Sequence, residues 1–153
     1  MHLLLSASGI HDSDALDLTL LLLEHGAEVN SQDKNKQMPL LLAMGRVWFK
    51  LAWILLERGA DANVEDNNGK TPLHILSERQ IYDNNDPVLQ SPLYHDADNN
   101  LQDADPMTPF HSQHDFGPVQ IAQALLDHGA NVNAGNNMDK GSMIFHAIFS
   151  VID

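Results

Sequence analysis

The chain of 153 residues contains no cysteine. Disulfides and thiol catalysis are therefore excluded, although that absence alone does not fix the compartment. Basic residues are scarce: eight Lys and Arg stand against 21 Asp and Glu, a formal charge of −13. Such a balance repels nucleic acid and anionic membrane, and it favours a basic or neutral protein partner. No apolar run approaches the length of a membrane span. The opening Met1-His2-Leu3-Leu4-Leu5 has no basic lead and too short an apolar stretch for a secretory signal. An intracellular, cytoplasmic location is expected. No serine sits in a nucleophile elbow, and no glycine loop matches a phosphate cradle.

What the chain does have is recurrence. Leu22-Leu23-Glu24-His25-Gly26-Ala27-Glu28-Val29-Asn30 returns as Leu55-Leu56-Glu57-Arg58-Gly59-Ala60-Asp61-Ala62-Asn63. It returns again as Leu125-Leu126-Asp127-His128-Gly129-Ala130-Asn131-Val132-Asn133. Gly26 and Gly59 are 33 positions apart, and Gly59 and Gly129 are 70 apart. A fixed period near 33 marks a repeat architecture. A worn copy, Pro92 to Asn100, lies inside the longer interval with Asp96 in the place of glycine, dividing it into steps of 37 and 33. The four extra residues are placed within Ile81 to Pro87, a polar turn. A competing parse makes residues 80–118 one long insertion.

A second signal lies eight residues past each closing asparagine. It is fullest in Gly69-Lys70-Thr71-Pro72-Leu73-His74, and it recurs as Thr108-Pro109-Phe110-His111 and Met38-Pro39-Leu40-Leu41. Threonine followed by proline starts a helix: the hydroxyl accepts from an orphan N–H, and proline loses nothing at the first helical position. A second helix follows, as in Phe49 to Arg58, and Gly59 ends it in the left-handed conformation. Asp66-Asn67-Asn68-Gly69 then makes a tight polar turn. One unit reads as helix, loop, helix, protruding turn. Two departures are expected: Pro92 should break or shorten its helix, and Ser112-Gln113-His114-Asp115 is too polar for a first helix.

These residues resemble the ankyrin repeat. The resemblance rests on Thr-Pro-Leu-His opening one helix, Leu-Leu-Glu-x-Gly-Ala-Asp-x-Asn closing the next, and the 33-residue step. It implies an all-α solenoid of helix-loop-helix units with protruding turns, forming one array over residues 1–153. The expected units are 1–32 (partial), 33–65, 66–102 with an insertion, 103–135, and 136–153 (partial). It also implies a non-enzymatic scaffold that binds a protein through turn tips and the concave face of the first helices. Carried onto this chain, the tip candidates are Lys34, Asn35, Lys36, Asn67, Asn68, Lys70, Ala104, Asp105, Met138 and Lys140. Arg46, Glu78 and Arg79 are candidates for the inner face. The resemblance makes His74 and His111 structural. It places Asn30, Asn63 and Asn133 at the asparagine that certain oxygen-dependent hydroxylases modify, with structural hydrogen bonding the stronger expectation.

Other readings stand beside this one. Trp53, with Leu20, falls where the family is usually charged and solvent-facing, so it could anchor a partner; alternatively it packs over the loop holding Trp48 and Phe49. His111, His114 and Asp115 have ligand-like spacing, yet a zinc site needs three or four convergent ligands, and neither metal nor cofactor is expected. Asp103 and Asp105 lie in a wet turn that cannot move a carboxylate pKa for acid–base work. The array could serve a larger enzyme as a regulatory or targeting segment, or be truncated or decayed with no specific partner. The apolar ends, Leu3-Leu4-Leu5 and Met143 to Ile152, lead to the expectation of further repeats or end-to-end association covering them.

Overall fold

The computed structural model describes residues 12–79, 91–112 and 119–134. Six helices lie in them: α1 (Asp12–Glu24), α2 (Pro39–Gly45), α3 (Phe49–Glu57), α4 (Pro72–Ser77), α5 (Ser91–Tyr94) and α6 (Val119–Asp127). No strand occurs among the described residues. The short helices α2 and α4 pack on each other, and α3 packs on α1 and α5. Two layers result, one of first helices and one of second helices, joined where α2 meets α3 and α4 meets α5.

The first helices start where proline makes starting easy. Pro72 opens α4 behind Thr71, whose backbone N–H donates to His74 Nδ1 at 3.1 Å. That is a capping box with histidine in the position that usually holds Glu or Gln. Pro39 opens α2, but Met38 before it has no side-chain oxygen and makes no cap bond. In the third unit Thr108-Pro109 starts only a turn, closed by Ser112 N–H donating to the Thr108 carbonyl at 2.9 Å.

The second helices end alike, and glycine explains why. Gly26, Gly59 and Gly129 have φ of 82°, 85° and 85°, a region that a Cβ disfavours. Each allows the next N–H to turn back onto the last helical turn, as Ala60 does to the Leu55 carbonyl at 2.9 Å. Asp96 takes the same role with φ 58°, and Ala97 donates to the Pro92 carbonyl at 3.2 Å. Pro92 is the second residue of α5, which is four residues long against nine in α3 and α6. Its ring nitrogen brings no N–H to the helix.

The core lies between the layers. Leu40, Met44, Leu51, Leu55, Leu73, Leu76, Ile121 and Leu125 are fully buried. Each such side chain contributes about 1.5–3 kcal/mol by leaving water. Ala43 and Ala52, both buried, let the helices approach closely. Two buried hydroxyls, Thr19 Oγ1 and Ser77 Oγ, have no hydrogen-bond partner, a local cost in an otherwise apolar layer.

Candidate protein-binding surface

Three protruding turns share one construction. Asp33 Oδ1 accepts from the backbone N–H groups of Asn35 and Gln37 at 2.7 and 2.8 Å. Asp66 Oδ1 does the same for Asn68 and Lys70 at 2.8 and 2.9 Å, and Asp103 Oδ1 for Asp105 and Met107 at 2.9 and 3.0 Å. These carboxylates mimic backbone turns, which is why aspartate begins each tip. The fourth residue of the first two tips is left-handed: Lys36 at φ 60° and Gly69 at φ 72°. At Gly69 a Cβ would lie 3.2 Å from Ala104 N and from Asp103 Cα, so a side chain there would crowd the neighbouring tip and strain the left-handed backbone.

The tips are linked into a row. Asn67 Nδ2 donates to the Asn35 carbonyl at 3.1 Å, and Ala104 N–H donates to the Asn68 carbonyl at 2.9 Å. The tip candidates therefore divide by what they touch. Asn35, Asn67 and Asn68 bind one another's units, while Lys34, Lys36 and Asp105 stand exposed beyond the row. A second row runs along the loops after the glycines. Asn30 bridges to the Gly59 carbonyl and the Asp61 N–H at 3.1 and 3.0 Å. Asn63 bridges to the Asp96 carbonyl and the Asp98 N–H at 3.2 and 2.6 Å. Asn100 bridges to the Gly129 carbonyl and the Asn131 N–H at 3.4 and 2.8 Å. Structural hydrogen bonding is thus what Asn30 and Asn63 do here.

Beneath the first two tips a groove of about 300 Å³ opens on the first-helix layer. Leu41, Leu42 and Ile75 form its apolar wall, Gln37 and Asp66 border it near the tips, and Gly45 and Arg46 border it at the far end of α2. The Arg46 guanidinium lies 5.1 Å from the Trp48 ring centroid, within cation–π range. Arg79 Nη2 donates to the Gly45 carbonyl, tying the end of one first helix to the next unit. Lys70 Nζ and Glu78 Oε1 pair at 2.6 Å, and that hydrogen bond holds the lysine above its ordinary pKa against the opposing effect of burial. Of the inner-face candidates, Arg46 borders the groove, Arg79 is engaged between units, and Glu78 is paired with Lys70 of its own unit.

Sequence reasoning missed Gln37, Leu41, Leu42 and Ile75 as groove residues. Their signal is faint: Leu42 and Ile75 are apolar residues of first helices that stay only half-buried. Trp53 is 42% exposed on α3, whereas Trp48 and Phe49 pack against the core.

The histidines recur as framework. His74 Nδ1 accepts a backbone N–H, which places the ring proton on Nε2, and Nε2 donates to the Met107 carbonyl of the next unit at 2.8 Å. His111 Nδ1 meets Thr108 Oγ1 at 2.6 Å. Burial lowers the His111 pKa, and a hydrogen bond to the Val132 backbone partly offsets this. His25 and His128 each place Nδ1 2.8 Å from the carbonyl four residues back. No group of three or more potential metal ligands converges among the described residues. His114, Asp115, Met138 and Lys140 lie outside those residues. No helix of the described residues is long and apolar enough to cross a membrane.

Layered helical pairs, joined by like tips at a near-constant step, define a repeat solenoid. Comparison with protein families narrows the class. The family model for ankyrin repeats in three copies matches residues 3–84, and the model for the single ankyrin repeat matches residues 107–137. The chain belongs to the ankyrin-repeat family, whose members are in general non-enzymatic protein–protein interaction modules. No curated protein matches it. Residues 85–106 fall between the two matches. Asp96 in place of glycine and Pro92 within α5 are the departures found there.

Proposed function

We propose that this chain is a non-enzymatic scaffold that holds a protein partner against its tip row and the groove of the first-helix layer. The observation that carries this reading is the tip row itself. Its turns are fixed by carboxylate-to-backbone bonds and by bonds between units, so the surface is preorganised. A preorganised surface loses little entropy on binding. Lys34, Lys36 and Asp105 supply exposed charge on that edge, and Arg46 supplies it beside the groove. At long range the formal charge of −13 favours a partner that is basic or neutral as a whole.

The test is hydrogen exchange of the full chain with a partner obtained by affinity capture. Protection should appear over 34–37, 41–46 and 66–70, and the double variant K34E/K36E should weaken retention about threefold or more. Protection confined to the exposed side of α3, around Lys50, Trp53 and Glu57, would transfer the function to the outer helices.

A further inference from the structure

The exposed sides of the second helices differ in charge. Among the described residues, α1 and α6 contain no Lys or Arg, and the exposed charges on them are Asp14, Asp17, Glu24 and Asp127. The cations of this layer belong to α3: Lys50 in its first turn and Arg58 at its C-cap. Lys50 is exposed, and its ammonium has no partner among the described residues.

Which side of α3 faces water follows from its buried residues. Leu51, Ala52, Leu55 and Leu56 turn to the core, so Lys50, Trp53 and Glu57 form a stripe on the other side. With 3.6 residues to a turn, these three lie within about 60° of one another. Along the helix axis Lys50 stands about 4.5 Å to one side of Trp53, and Glu57 stands about 6 Å to the other. Glu57 gives Oε1 to His95 Nε2 at 3.2 Å and keeps its second oxygen. Leu21, on the adjoining α1, is exposed as Trp53 is.

This stripe is complementary to itself. A half-turn about an axis through Trp53 lays a second α3 antiparallel on the first. Lys50 of each protomer then stands opposite Glu57 of the other, and the two indoles meet at the axis. From this we infer that the protein pairs with a second copy of itself through α3, about a two-fold axis at Trp53. In such an interface every contact off the axis occurs twice, so one Lys–Glu complementarity becomes two ion pairs. Two indoles at the centre gain from offset or edge-on contact beyond their burial. The formal charge of −13 opposes association of like chains. At physiological salt, however, charges are screened beyond about 8 Å. Near contact then decides, and α3 supplies Lys50 to face Glu57, whereas α1 and α6 would set acid against acid. One helix and its neighbour make a small contact, below the roughly 1,200 Å² of a standard interface, so the dimer is weak and reversible. The pairing does not rest on the scaffold reading, which uses the tips and the first-helix layer.

The test is sedimentation equilibrium of the full chain at physiological salt, from about 10 μM to about 1 mM, with helical circular dichroism of every variant as the folding control. The wild type should pass from monomer to dimer across that range. K50E and E57K should each weaken the dimer at least about fivefold, because symmetry turns two attractive pairs into two repulsive ones. K50E/E57K should restore it within one chain. An equimolar mixture of K50E and E57K should associate more tightly than either variant alone, since the mixed pair regains both attractions. W53A should remain a monomer. A wild type that stays monomeric at about 1 mM overturns the proposal. So does a dimer that both single reversals leave intact, or a double variant no better than the singles.

Discussion

Replacing Asn63 with alanine should split the array at a defined place. The Asn63 carboxamide joins two units by donating to the Asp96 carbonyl at 3.2 Å and accepting from the Asp98 N–H at 2.6 Å. Asp96 and Asp98 are exposed, so water can replace part of what is lost. A net hydrogen bond contributes about 0.5–1.5 kcal/mol, and two partly hydrated ones amount to about 1–2 kcal/mol. In a quasi-one-dimensional protein that cost falls on the interface between neighbours rather than on the whole. Native-state hydrogen exchange of Asn63→Ala should therefore speed up about five- to thirtyfold in residues 91–134 at low denaturant, while the amides of α2 and α3 change little. The thermal midpoint should fall by roughly 2–8 °C. Asn30→Ala serves as a control that moves the weak point toward α1, because Asn30 makes the same pair of bonds one unit earlier. Acceleration spread evenly over all helices, or a midpoint unchanged by Asn63→Ala, would refute the idea that this side chain is a joint between units.

Three further outcomes are expected. Val47 has φ 64° and is 44% exposed, a β-branched residue in a position suited to glycine; Val47→Gly should stabilise by about 0.5–1 kcal/mol in urea unfolding, since relief of about 1–2 kcal/mol of backbone strain exceeds the flexibility that glycine adds. Thr19→Val should stabilise by about 1 kcal/mol by removing a buried hydroxyl without a partner, and a loss of stability in calorimetry would mean that the hydroxyl is bonded in solution. His111, chiefly through burial, has a folded pKa below its ordinary 6.5. The unfolded chain then binds the extra proton first, so stability should fall as pH drops from above 6.5 through the folded value. His111→Gln should flatten unfolding midpoints over that window, and an identical pH slope in both proteins would remove His111 as the cause.

The fold was legible because its signals are local. A glycine after a leucine-rich helix must be left-handed to turn the chain, and Gly26, Gly59 and Gly129 are. Threonine before proline starts α4 for the same kind of reason. The candidate site was less legible because its chemistry depends on partners far along the chain. Arg79 looked like a groove cation, but its guanidinium is held by the Gly45 carbonyl, 34 residues away. Lys70 and Glu78 looked like separate surface charges and form one pair. Asn67 looked like a tip contact and secures the neighbouring tip.

The two rows of bonds between units have a mechanical consequence. One runs through the tips, from Asn35 to Asn67 and from Asn68 to Ala104; the other runs through Asn30, Asn63 and Asn100. Within each unit the two rows are only four or five residues apart, Asn30 beside Asn35, Asn63 beside Asn67 and Asn100 beside Ala104, with no helix between them, so both fasten the same margin of the stack. Splaying the units at that margin would have to break both rows together.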